Sequence, residues 1–457
     1  MINPAIFREY DIRGIADKEL LDPEVELIGR ALATHLIRQS GRLLCLGRDC
    51  RLSGQRIHDA LLKGMLAAGA EVLDIGVGPT PVLYYSAVHF KADGAIMITG
   101  SHNPSEYNGL KTVCGSGTLH GDQIQEILKL IQTNDFETGA GTVKAVDAAT
   151  PYVDEVAAQF ASLPRKMKVV FDAGNGTAGP TIHRILERLN VEPIELFFEM
   201  DGRFPNHHPD PTVVSNLAHL QDAVRKNKAE LGIAFDGDSD RIGAVDENGD
   251  AVYGDMLMLI FGREILTRKP GATFIGEVKC SQIMYDKLAE LGGNPIMYKT
   301  GHSLIKAKMK EEHAELAGEM SGHMFFADRY YGFDDALYAA CRLIEIIAKS
   351  GKPLSYQMQD IPKLVSTPEL RVDCPDDKKF QVVKEVAAAV RRRYQVVDVD
   401  GVRAIFEHGW GLVRASNTQP VLVMRFEATS DQLLSEYRSE LEGIVEEAKH
   451  AAGVTTG

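Results

Sequence analysis

The sequence lacks any stretch long and apolar enough to span a membrane, and no two cysteines form a C-x-x-C pair. Its six cysteines are scattered, and the closest pair, Cys45 and Cys50, matches no zinc-binding spacing. Free thiols in a reducing compartment are therefore expected. The N-terminal residues also lack a charged segment followed by an apolar run, so a cytoplasmic protein without a membrane partner is predicted.

Positive charge is scarce as well. The chain has 50 lysines and arginines against 64 aspartates and glutamates, which gives a formal net charge of −14. A phosphate polymer would be repelled except at a local basic patch, so a nucleic-acid partner is not expected. A small anionic substrate remains compatible, because a cleft can be positive on an acidic protein.

The length and the apolar pattern predict several domains. A chain of 457 residues exceeds one hydrophobic core. Up to about residue 361, helical spacing of apolar residues alternates with short apolar runs, which is typical of α/β layers. The segment after Pro362 favours antiparallel strands with two helices. We therefore predict an α/β protein with four domains: three related α/β domains with mixed sheets, residues 1–145, 146–250 and 251–361, and a C-terminal α+β domain, residues 362–457.

Four segments are expected to be irregular. Residues 134–150 lose the apolar pattern and suggest a linker, and Asn108 and Gly109 are expected to break regular structure. Residues 300–303 are expected to form a turn. The glycines of residues 174–179 satisfy a G-x-G-x-x-G pattern, but no acidic residue is placed convincingly for a ribose. A tight strand-to-helix turn is preferred there over a nucleotide site.

The serine loop, residues 99–104 (TGSHNP), follows the short apolar run 94–98. It presents Ser101 at the carboxyl end of a predicted buried strand, where ligands of α/β sheets bind. His102 lies next to the serine, and Lys111 follows ten residues later. A Ser-His-Asp hydrolase is disfavoured, because adjacent Ser101 and His102 side chains should diverge and G-x-S-x-G is absent.

The triple-aspartate loop, residues 236–241 (DGDSDR), carries Asp236, Asp238 and Asp240 at alternate positions. In an extended loop these carboxylates point to one side, and their mutual repulsion favours a bound cation. Oxygen ligands favour Mg²⁺ or Ca²⁺. A calcium EF-hand would use Glu247 at its twelfth position, but its sixth position needs glycine and Arg241 stands there. A catalytic Mg²⁺ loop is preferred; a solvated acidic turn and a Ca²⁺-binding interaction protein remain alternatives.

Mg²⁺ with few protein ligands completes its shell with water or phosphate oxygens, and a phosphoserine at Ser101 would supply one. Two further loops suit a phosphosugar. The glutamate loop, residues 319–323 (EMSGH), alternates polar side chains that suit sugar hydroxyls, although such a turn can be merely structural. The arginine loop, residues 414–418 (RASNT), combines a cation, two hydroxyls and an amide, which is the chemistry of a phosphate cradle.

Together the four loops resemble the α-D-phosphohexomutase family, in the order that family has them. The resemblance runs from residues 10–14 (YDIRG) to 425–428 (RFEA). The glutamate and arginine loops are most similar to the bacterial phosphomannomutase/phosphoglucomutase branch. Phosphoglucosamine mutases, the alternative, tend to have glutamine at position 320 and glycine at position 417. Gly100 departs from the family, which more often has alanine there, and could loosen the serine loop.

The resemblance implies an isomerase that interconverts hexose 1-phosphate and hexose 6-phosphate, with mannose, glucose or both as the hexose. Phospho-Ser101 would donate its phosphoryl group to the sugar, and a hexose 1,6-bisphosphate intermediate would turn around and return the other group. One Mg²⁺ per chain would be held by Ser101, Asp236, Asp238 and Asp240. A monomer or weak homodimer that acts on small phosphosugars is expected.

The resemblance also implies the remaining roles around a central cleft between the four domains. The implied catalytic residues are Ser101, His102, Lys111, Arg241, Arg13 and His323. Lys111, His102 and His323 stay open as candidates for the general acid and base. The implied substrate-binding residues are Tyr10, Lys279, His302, Glu319, Ser321, His323, Arg414, Ser416, Asn417 and Thr418.

Overall fold

The computed structural model describes residues 2–39, 41–115, 117–417 and 419–454. Four β-sheets with their own helices follow one another along the chain and define four domains. The first three sheets mix parallel and antiparallel neighbours, and the fourth is antiparallel throughout. The predicted α/β class with four domains is confirmed. Within the described ranges, no helix combines the length and apolarity needed to cross a membrane.

The first domain contains seven strands and five α-helices, preceded by a short 3₁₀ helix, Pro4–Ile6. The strands are β1 Ile12–Ile15, β2 Leu43–Arg48, β3 Glu71–Val77, β4 Gly94–Ile98, β5 Tyr107–Cys114, β6 Gly117–Thr118 and β7 Thr142–Ala145. The helices are α1 Ala16–Glu19, α2 Asp22–Arg38, α3 Gly54–Ala68, α4 Thr80–His89 and α5 Asp122–Thr133. The sheet order is β1-β5-β4-β2-β3-β7, with β6 paired to β5.

The second and third domains each surround a smaller mixed sheet. The second contains α6 Ala149–Phe160, β8 Met167–Asp172, α7 Ala178–Leu186, β9 Val191–Leu196, a 3₁₀ helix Val214–Leu217, α8 Ala218–Asn227, β10 Leu231–Phe235, β11 Ile242–Val245 and β12 Ala251–Val252, in the sheet order β12-β11-β10-β8-β9. The third contains α9 Gly254–Arg268, β13 Thr273–Glu277, α10 Gln282–Glu290, β14 Asn294–Tyr298, α11 His302–Glu311, β15 Leu316–Gly318, β16 Met324–Phe326, α12 Ala336–Ser350 and a 3₁₀ helix Ser355–Met358, in the sheet order β14-β13-β15-β16.

The C-terminal domain packs two helices on its antiparallel sheet. Its elements are β17 Val365–Ser366, β18 Leu370–Asp373, α13 Lys379–Val390, β19 Gln395–Val397, β20 Val402–Phe406, β21 Gly409–Ala415, β22 Val421–Ala428 and α14 Asp431–Ala451. The sheet order is β17-β22-β21-β20-β19, with β18 also paired to β22.

Burial of apolar side chains joins the second and third domains into one block. A continuous core contains apolar residues of α6 and β8 together with those of α9 and α12. Helix α12 is buried along almost its whole length, because it lies in the interior of this shared core. The first and C-terminal domains have separate main cores. Since apolar burial dominates folding, we expect the second and third domains to behave as one rigid unit, against which the first and C-terminal domains pack.

Three segments expected to be irregular are regular. Residues 107–114 form β5, because Gly109 lies opposite Arg13 of β1, where a Cβ would stand only 2.4 Å from the Ile12 carbonyl oxygen. The predicted linker contains β7, which pairs in parallel with β3; its four residues are all exposed and therefore show no apolar alternation. The predicted turn at 300–303 begins helix α11 at His302.

The glycine-rich segment 174–179 is the tight turn that was predicted between β8 and α7. A Cβ at Gly176 would lie 2.8 Å from the carbonyl oxygen of Gly237, and Thr177 donates its backbone N–H to that oxygen at 3.0 Å. The small residues therefore let the backbone of the triple-aspartate loop pass close to this turn.

Candidate active site

Each of the four loops lies at the end of a strand. The serine loop follows β4, whose five residues are all buried, and the triple-aspartate loop connects β10 to β11. The glutamate loop connects β15 to β16, and the arginine loop begins within β21. Buried apolar strands fix the backbone at each position, and the polar side chains begin where the strands end.

Ser101 is 2% exposed and has a left-handed backbone, with φ of 50°. Its hydroxyl Oγ donates a hydrogen bond to Asp236 Oδ2 at 2.9 Å, and its backbone N–H donates to Thr99 Oγ1 at 2.8 Å. The unusual φ costs conformational energy, so surrounding contacts must hold it. The serine of the first domain is thus aimed at a carboxylate of the second.

His102 points to the same side as Ser101, with Nδ1 3.2 Å from Ser101 Oγ. The predicted divergence of the two side chains is wrong, because the left-handed backbone at Ser101 bends the chain between them. Burial, followed by the charges of Arg241 and Arg13, holds the pKa of His102 well below its usual value. In the described part of the chain no carboxylate is hydrogen-bonded to His102, so the arrangement is not that of a hydrolase triad.

Asp236, Asp238 and Asp240 converge as predicted from their spacing. All three are fully buried, and one carboxylate oxygen from each lies within 4.8 Å of the others. Burial, reinforced by the charges of Asp240 and Asp238, raises the pKa of Asp236 well above its usual value. Among the described residues, Oδ1 of Asp238 and Oδ1 of Asp240 find no hydrogen-bond partner. Clustered, unsatisfied carboxylate oxygens fit a hard divalent cation such as Mg²⁺.

The geometry of this loop is not that of an EF-hand. Strands β10 and β11 flank it, where an EF-hand has helices. Glu247 lies beyond the other end of β11 and accepts a hydrogen bond from the Ser355 hydroxyl. The loop is fixed instead by backbone N–H donors at 3.1 Å to Asp236 Oδ1 and by the Thr80 hydroxyl of α4, which donates to Asp238 Oδ2 at 2.5 Å.

Lys111 reaches the triple-aspartate loop from β5. Its ammonium Nζ lies 2.6 Å from Asp238 Oδ2 and also contacts Asp240 Oδ2. Burial alone would lower the pKa of Lys111, but the charges of Asp238 and Asp240 outweigh it and raise the pKa above its usual value. Lys111 is therefore a fixed cation at neutral pH and not a proton acceptor.

Arg13 supplies a second cation on the serine side. Its Nη1 donates to Asn103 Oδ1 at 3.2 Å and to the Gly100 carbonyl oxygen at 3.4 Å, and its Nη2 pairs with Asp11. Because Arg13 lies on β1, next to β5, it adds positive charge beside the serine loop.

A backbone bridge joins the triple-aspartate loop to the glutamate loop. Arg241 pairs with His323, and the Ile242 N–H donates to the Gly322 carbonyl oxygen at 3.0 Å. Gly322 has φ of 91° and lies where a Cβ would stand 2.3 Å from the Ile242 carbonyl oxygen, so only glycine fits. The side chains meet as well, since Arg241 Nε donates to His323 Nε2 at 2.9 Å.

This donation determines the protonation of His323. Because Nε2 accepts from Arg241, we assign the ring proton to Nδ1, which lies 3.2 Å from Asp334 Oδ2. Asp240, His323 and Asp334 also lie close enough to hold a metal ion, but a protonated Nδ1 cannot be a ligand. The trio is therefore better described as a histidine with a carboxylate beside its Nδ1.

His302, the first residue of α11, lies beside His323. The two rings are stacked with centroids 5.7 Å apart, and the Tyr10 ring lies 6.3 Å from the His302 ring on another side. Burial and the charge of Lys306 lower the pKa of His302 well below its usual value. His302 is thus a neutral, polar wall between the first and third domains.

In the glutamate loop, Glu319 is 4% exposed and holds its neighbours. Its Oε1 accepts from the Gly301 N–H at 2.8 Å, and its Oε2 accepts from the Ser321 hydroxyl at 3.1 Å. Glu277, buried beneath the loop, accepts from the Thr300 hydroxyl at 2.8 Å and from the Met320 N–H at 3.3 Å. The loop is supported from below while Ser321 stays half-buried at its surface.

The arginine loop meets the first and third domains through Tyr10. The Tyr10 hydroxyl donates to the Thr300 carbonyl oxygen at 2.8 Å and accepts from the Asn417 amide. Arg414 Nε donates to Asp400 Oδ2 at 2.9 Å, and Ser416 Oγ accepts from the Gln419 N–H at 3.2 Å. Thr418, also predicted here, lies outside the described residues.

Lys279 lies just after the end of β13, between the third and C-terminal domains. Its Nζ stands 3.2 Å from Glu369 Oε2 and 3.8 Å from Glu277 Oε1. Burial alone would lower the pKa of Lys279, but the charges of Glu277 and Glu369 raise it. Lys279 therefore remains a cation, although this protein is acidic as a whole.

The predicted residues thus form two neighbouring groups. The serine–aspartate region contains Arg13, Ser101, His102, Lys111, Asp236, Asp238, Asp240, Arg241 and His323. The glutamate–arginine region contains Tyr10, Lys279, His302, Glu319, Ser321, Arg414, Ser416 and Asn417. The 3.9 Å approach of His323 Nε2 to Glu319 Oε2 connects them.

Sequence reasoning missed the residues that hold these groups in place. They are Asp49, Arg51, Thr80, Glu277, Asp334, Glu369 and Asp400. One signal was available: Asp49 directly follows β2, which is parallel to β4, so its side chain belongs to the same edge of the sheet as Ser101. The others are brought to the site by contacts between segments that are far apart in the sequence, either within one domain, as for Arg51, or between two domains, as for Thr80 and Glu369.

Comparison with known proteins gives matches along almost the entire chain. Models of the phosphoglucomutase/phosphomannomutase family match residues 4–138 (alpha/beta/alpha domain I), 150–249 (domain II), 253–365 (domain III) and 369–444 (C-terminal domain). A phosphomannomutase/phosphoglucomutase of Pseudomonas putida is 45% identical over 93% of this chain and 92% of its own, and one of Pseudomonas aeruginosa is 42% identical over 96% of each. The crystal structure of a phosphoglucomutase/phosphomannomutase family protein from Burkholderia thailandensis aligns with a TM-score of 0.93 at 43% identity, covering 98% of both chains.

Proposed function

Because the chain belongs to the phosphoglucomutase/phosphomannomutase family, we propose that it interconverts hexose 1-phosphate and hexose 6-phosphate through a phosphoryl group carried on Ser101. The observation that carries this proposal is the 2.9 Å hydrogen bond from Ser101 Oγ to Asp236, within a buried trio of carboxylates. A hydroxyl placed there is shielded from water and adjacent to the ligands of a divalent cation.

The reaction is a balanced exchange. The free hydroxyl of the sugar phosphate attacks the phosphorus of phospho-Ser101, a new P–O bond to the sugar forms, and the bond between phosphorus and Oγ breaks. The hydroxyl proton passes to a base, and Ser101 recovers a proton. The hexose 1,6-bisphosphate then turns around and returns its other phosphoryl group to Ser101 by the reverse steps.

Charge stabilisation comes from fixed groups. Asp236, Asp238 and Asp240 would hold one Mg²⁺ together with phospho-Ser101; the ion offsets charge on the transferring phosphoryl group. Lys111 and Arg241 stay protonated because carboxylates raise their pKa values, and Arg13 adds a cation beside the loop. Pre-oriented cations in a buried site stabilise developing charge without reorganisation.

His323 is our choice for the group that accepts and returns the sugar hydroxyl proton. Its Nε2 carries the lone pair, which accepts from Arg241 Nε at 2.9 Å, so the sugar hydroxyl would take the place of that guanidinium N–H as the hydrogen-bond partner. Asp334 Oδ2 lies 3.2 Å from Nδ1 on the other side of the ring and would stabilise the imidazolium as it forms. Lys111 is unsuited because it is already charged, and His102 lies beside the serine, where it can share only the Ser101 proton.

The glutamate–arginine region would bind the rest of the substrate. Glu319 and Ser321 suit adjacent sugar hydroxyls, and Arg414, Ser416, Asn417 and Lys279 suit the phosphate that is not reacting. We propose glucose and mannose phosphates as substrates, with hexose 1,6-bisphosphate as intermediate and activator. The C-terminal domain has a hydrophobic core of its own, and we also propose that it moves away from the other domains while the bisphosphate turns.

The test is intact-protein mass together with mutase assays on the wild type and the Ser101→Ala variant. We expect the wild type to carry one phosphate after treatment with glucose 1,6-bisphosphate and the variant to carry none, with turnover reduced at least about 10³-fold. Ser86→Ala is a matched control, because Ser86 is equally buried in the same domain and its hydroxyl donates to the Leu83 carbonyl oxygen.

Two outcomes would contradict the proposal: near-normal turnover by Ser101→Ala, or a wild type that converts neither glucose nor mannose 1-phosphate. A preference for glucosamine phosphates in the same assay would select the phosphoglucosamine mutase instead. Sedimentation of the same sample tests the expected monomer or weak homodimer.

A further inference from the structure

Arg51 is a completely buried arginine that the reaction does not use directly. Its guanidinium donates hydrogen bonds to four backbone carbonyl oxygens of the segment that carries Ser101. These are the oxygens of Ser101 at 2.8 Å, Asn103 at 2.6 Å, Pro104 at 2.5 Å and Tyr107 at 3.1 Å. Arg51 therefore contacts the serine loop at its nucleophile and along the return to β5.

Asp49 completes this contact from the other side of the loop. Its carboxylate accepts from Arg51 Nε at 3.1 Å, from the Thr99 hydroxyl at 2.8 Å and from the Gly100 N–H at 3.2 Å. The Thr99 hydroxyl in turn accepts from the Ser101 N–H. A single buried ion pair thus binds both the donors and the acceptors of the loop.

Gly100 makes room for this arrangement. A Cβ at position 100 would lie 2.5 Å from Arg51 Cζ and 2.5 Å from Arg51 Nε, far inside contact distance. The space that a side chain would occupy is therefore taken by the guanidinium. Glycine at position 100, where the family more often has alanine, is therefore explained by the position of the Arg51 guanidinium in this chain.

The second domain covers the opposite face of Arg51. The Phe204 ring centroid lies 5.2 Å from Arg51 Cζ, and a Cβ at Gly202 would stand 2.7 Å from Arg51 Cα. Because Asp236 also belongs to the second domain, Arg51 links the serine loop to the domain that carries its metal-binding partner.

We propose that Arg51 is a positioning residue that, with Asp49 and Gly100, sets the left-handed backbone of Ser101 and so aims Oγ at the triple-aspartate loop; this inference rests on the proposed function. The φ of 50° at Ser101 is unfavourable for a non-glycine residue and requires support. Displacing a reacting atom by about 1 Å can cost about 10²-fold in rate. Among the described residues, the hydrogen bonds and ring contact of Arg51 include none of the proposed sugar-binding residues, so substrate binding should be unaffected.

The test compares Arg51→Lys with Arg342→Lys. Arg342 is an equally buried arginine in the third domain that pairs with Asp328 and lies 4.8 Å from the Phe326 ring, so it matches Arg51 in packing but is remote from the serine loop. We expect Arg51→Lys to lower kcat about 10²-fold with KM within about twofold of wild type. Phosphorylation of dephosphorylated Ser101 by glucose 1,6-bisphosphate, followed by intact mass in a single turnover, should slow by the same factor. Arg342→Lys should lower Tm similarly and leave both rates unchanged.

Gly100→Ala keeps the proposal testable if Arg51→Lys does not fold. The added methyl would meet both the guanidinium and the Tyr107 carbonyl oxygen that accepts from it, so it should disturb this contact without removing Arg51, and we expect a loss of kcat at constant KM. Unimpaired kcat in a folded Arg51→Lys or Gly100→Ala enzyme would overturn the inference while leaving the proposed function intact. A wild type without any turnover would contradict both.

Discussion

The serine–aspartate region and the glutamate–arginine region differ in how they are held. In the first, Ser101 and Lys111 are each 2% exposed and the three aspartates are fully buried. In the second, Glu319 and Arg414 are buried as well, but Tyr10, Ser321 and Asn417, which line its surface, are half-buried. The reacting hydroxyl and its carboxylates are therefore enclosed, whereas the second region keeps part of its polar surface accessible.

The difference follows from what each region must do. Phosphoryl transfer depends on fixed charges in a dry site, and each charge of the first region is held by a neighbour of opposite sign. In the proposed reaction the second region would accept a phosphosugar in two orientations. Its cations are paired with carboxylates that the substrate would have to displace: Arg414 with Asp400, and Lys279 with Glu369. Substitutions in the first region should therefore lower kcat, and those in the second should change KM.

The largest effect should follow Asp236→Asn. The change removes one anionic oxygen from the cation site and weakens the acceptor of the Ser101 hydroxyl, so we expect kcat to fall at least about 10³-fold and Mg²⁺ affinity to fall in calorimetry. Asp246→Asn is the control, because that buried aspartate accepts only turn N–H groups and an Asn248 amide beyond β11. A loss of less than about tenfold would show that the carboxylate trio is not part of the chemistry.

Lys111→Met should come next, with opposite effects on rate and metal affinity. Without the ammonium, kcat should fall about 10²-fold, because a fixed cation near the phosphoryl group is lost. Mg²⁺ should bind at least about tenfold more tightly, since Asp238 and Asp240 lose their competing cation. Calorimetry with Mg²⁺ measures this directly. Lys379→Met, which removes a buried lysine paired with Asp376 in the C-terminal domain, should change neither quantity, and unchanged Mg²⁺ affinity in Lys111→Met would refute the competition.

Arg414→Lys tests the other region. An ammonium cannot reproduce the planar fork of a guanidinium, so KM for glucose 1-phosphate should rise about tenfold while kcat stays within about threefold. Steady-state kinetics measure both, and Arg342→Lys again controls for loss of a buried arginine. A fall in kcat without a change in KM would erase the distinction between the two regions.

The same two regions show what the sequence can predict. Local patterns predicted the alternating elements and selected four candidate loops that the structure places at strand ends, because strand ends, glycines and alternate carboxylates are visible within a few residues. Contacts between distant segments left no such mark. Gly109 was expected to break a strand, yet it lets β5 approach β1, and Arg51 braces a loop 50 residues away. The left-handed φ of Ser101, which brings His102 alongside, occurs where Arg51 donates to the Ser101 carbonyl oxygen, a contact that no pattern within the loop indicates.

The smallest effect, and the most specific, should come from Glu369→Gln. Glu369 Oε2 pairs with Lys279 Nζ at 3.2 Å, so a substrate phosphate that binds Lys279 would compete with this carboxylate. Removing the negative charge should therefore lower KM about two- to threefold, a modest gain because the pair is partly exposed to solvent. Glu440→Gln is the control, since Glu440 pairs with Arg393 at a similar exposure in the same domain.

The decrease in KM expected for Glu369→Gln depends on pH only through the charge that Glu369 carries in the wild type. The charge of Lys279, together with that of Arg371, holds the pKa of Glu369 at about 2. A carboxyl with a lowered pKa stabilises the fold above its usual titration range and loses that contribution only as pH falls towards the lowered value. Glu369 is thus fully charged at every pH suited to the assay, and the ratio of the two KM values should be constant from about pH 6 to about pH 9. If the two KM values became equal at some pH within this range, Lys279 and not Glu369 would be changing charge. Lys279 would then not belong to the phosphate-binding group.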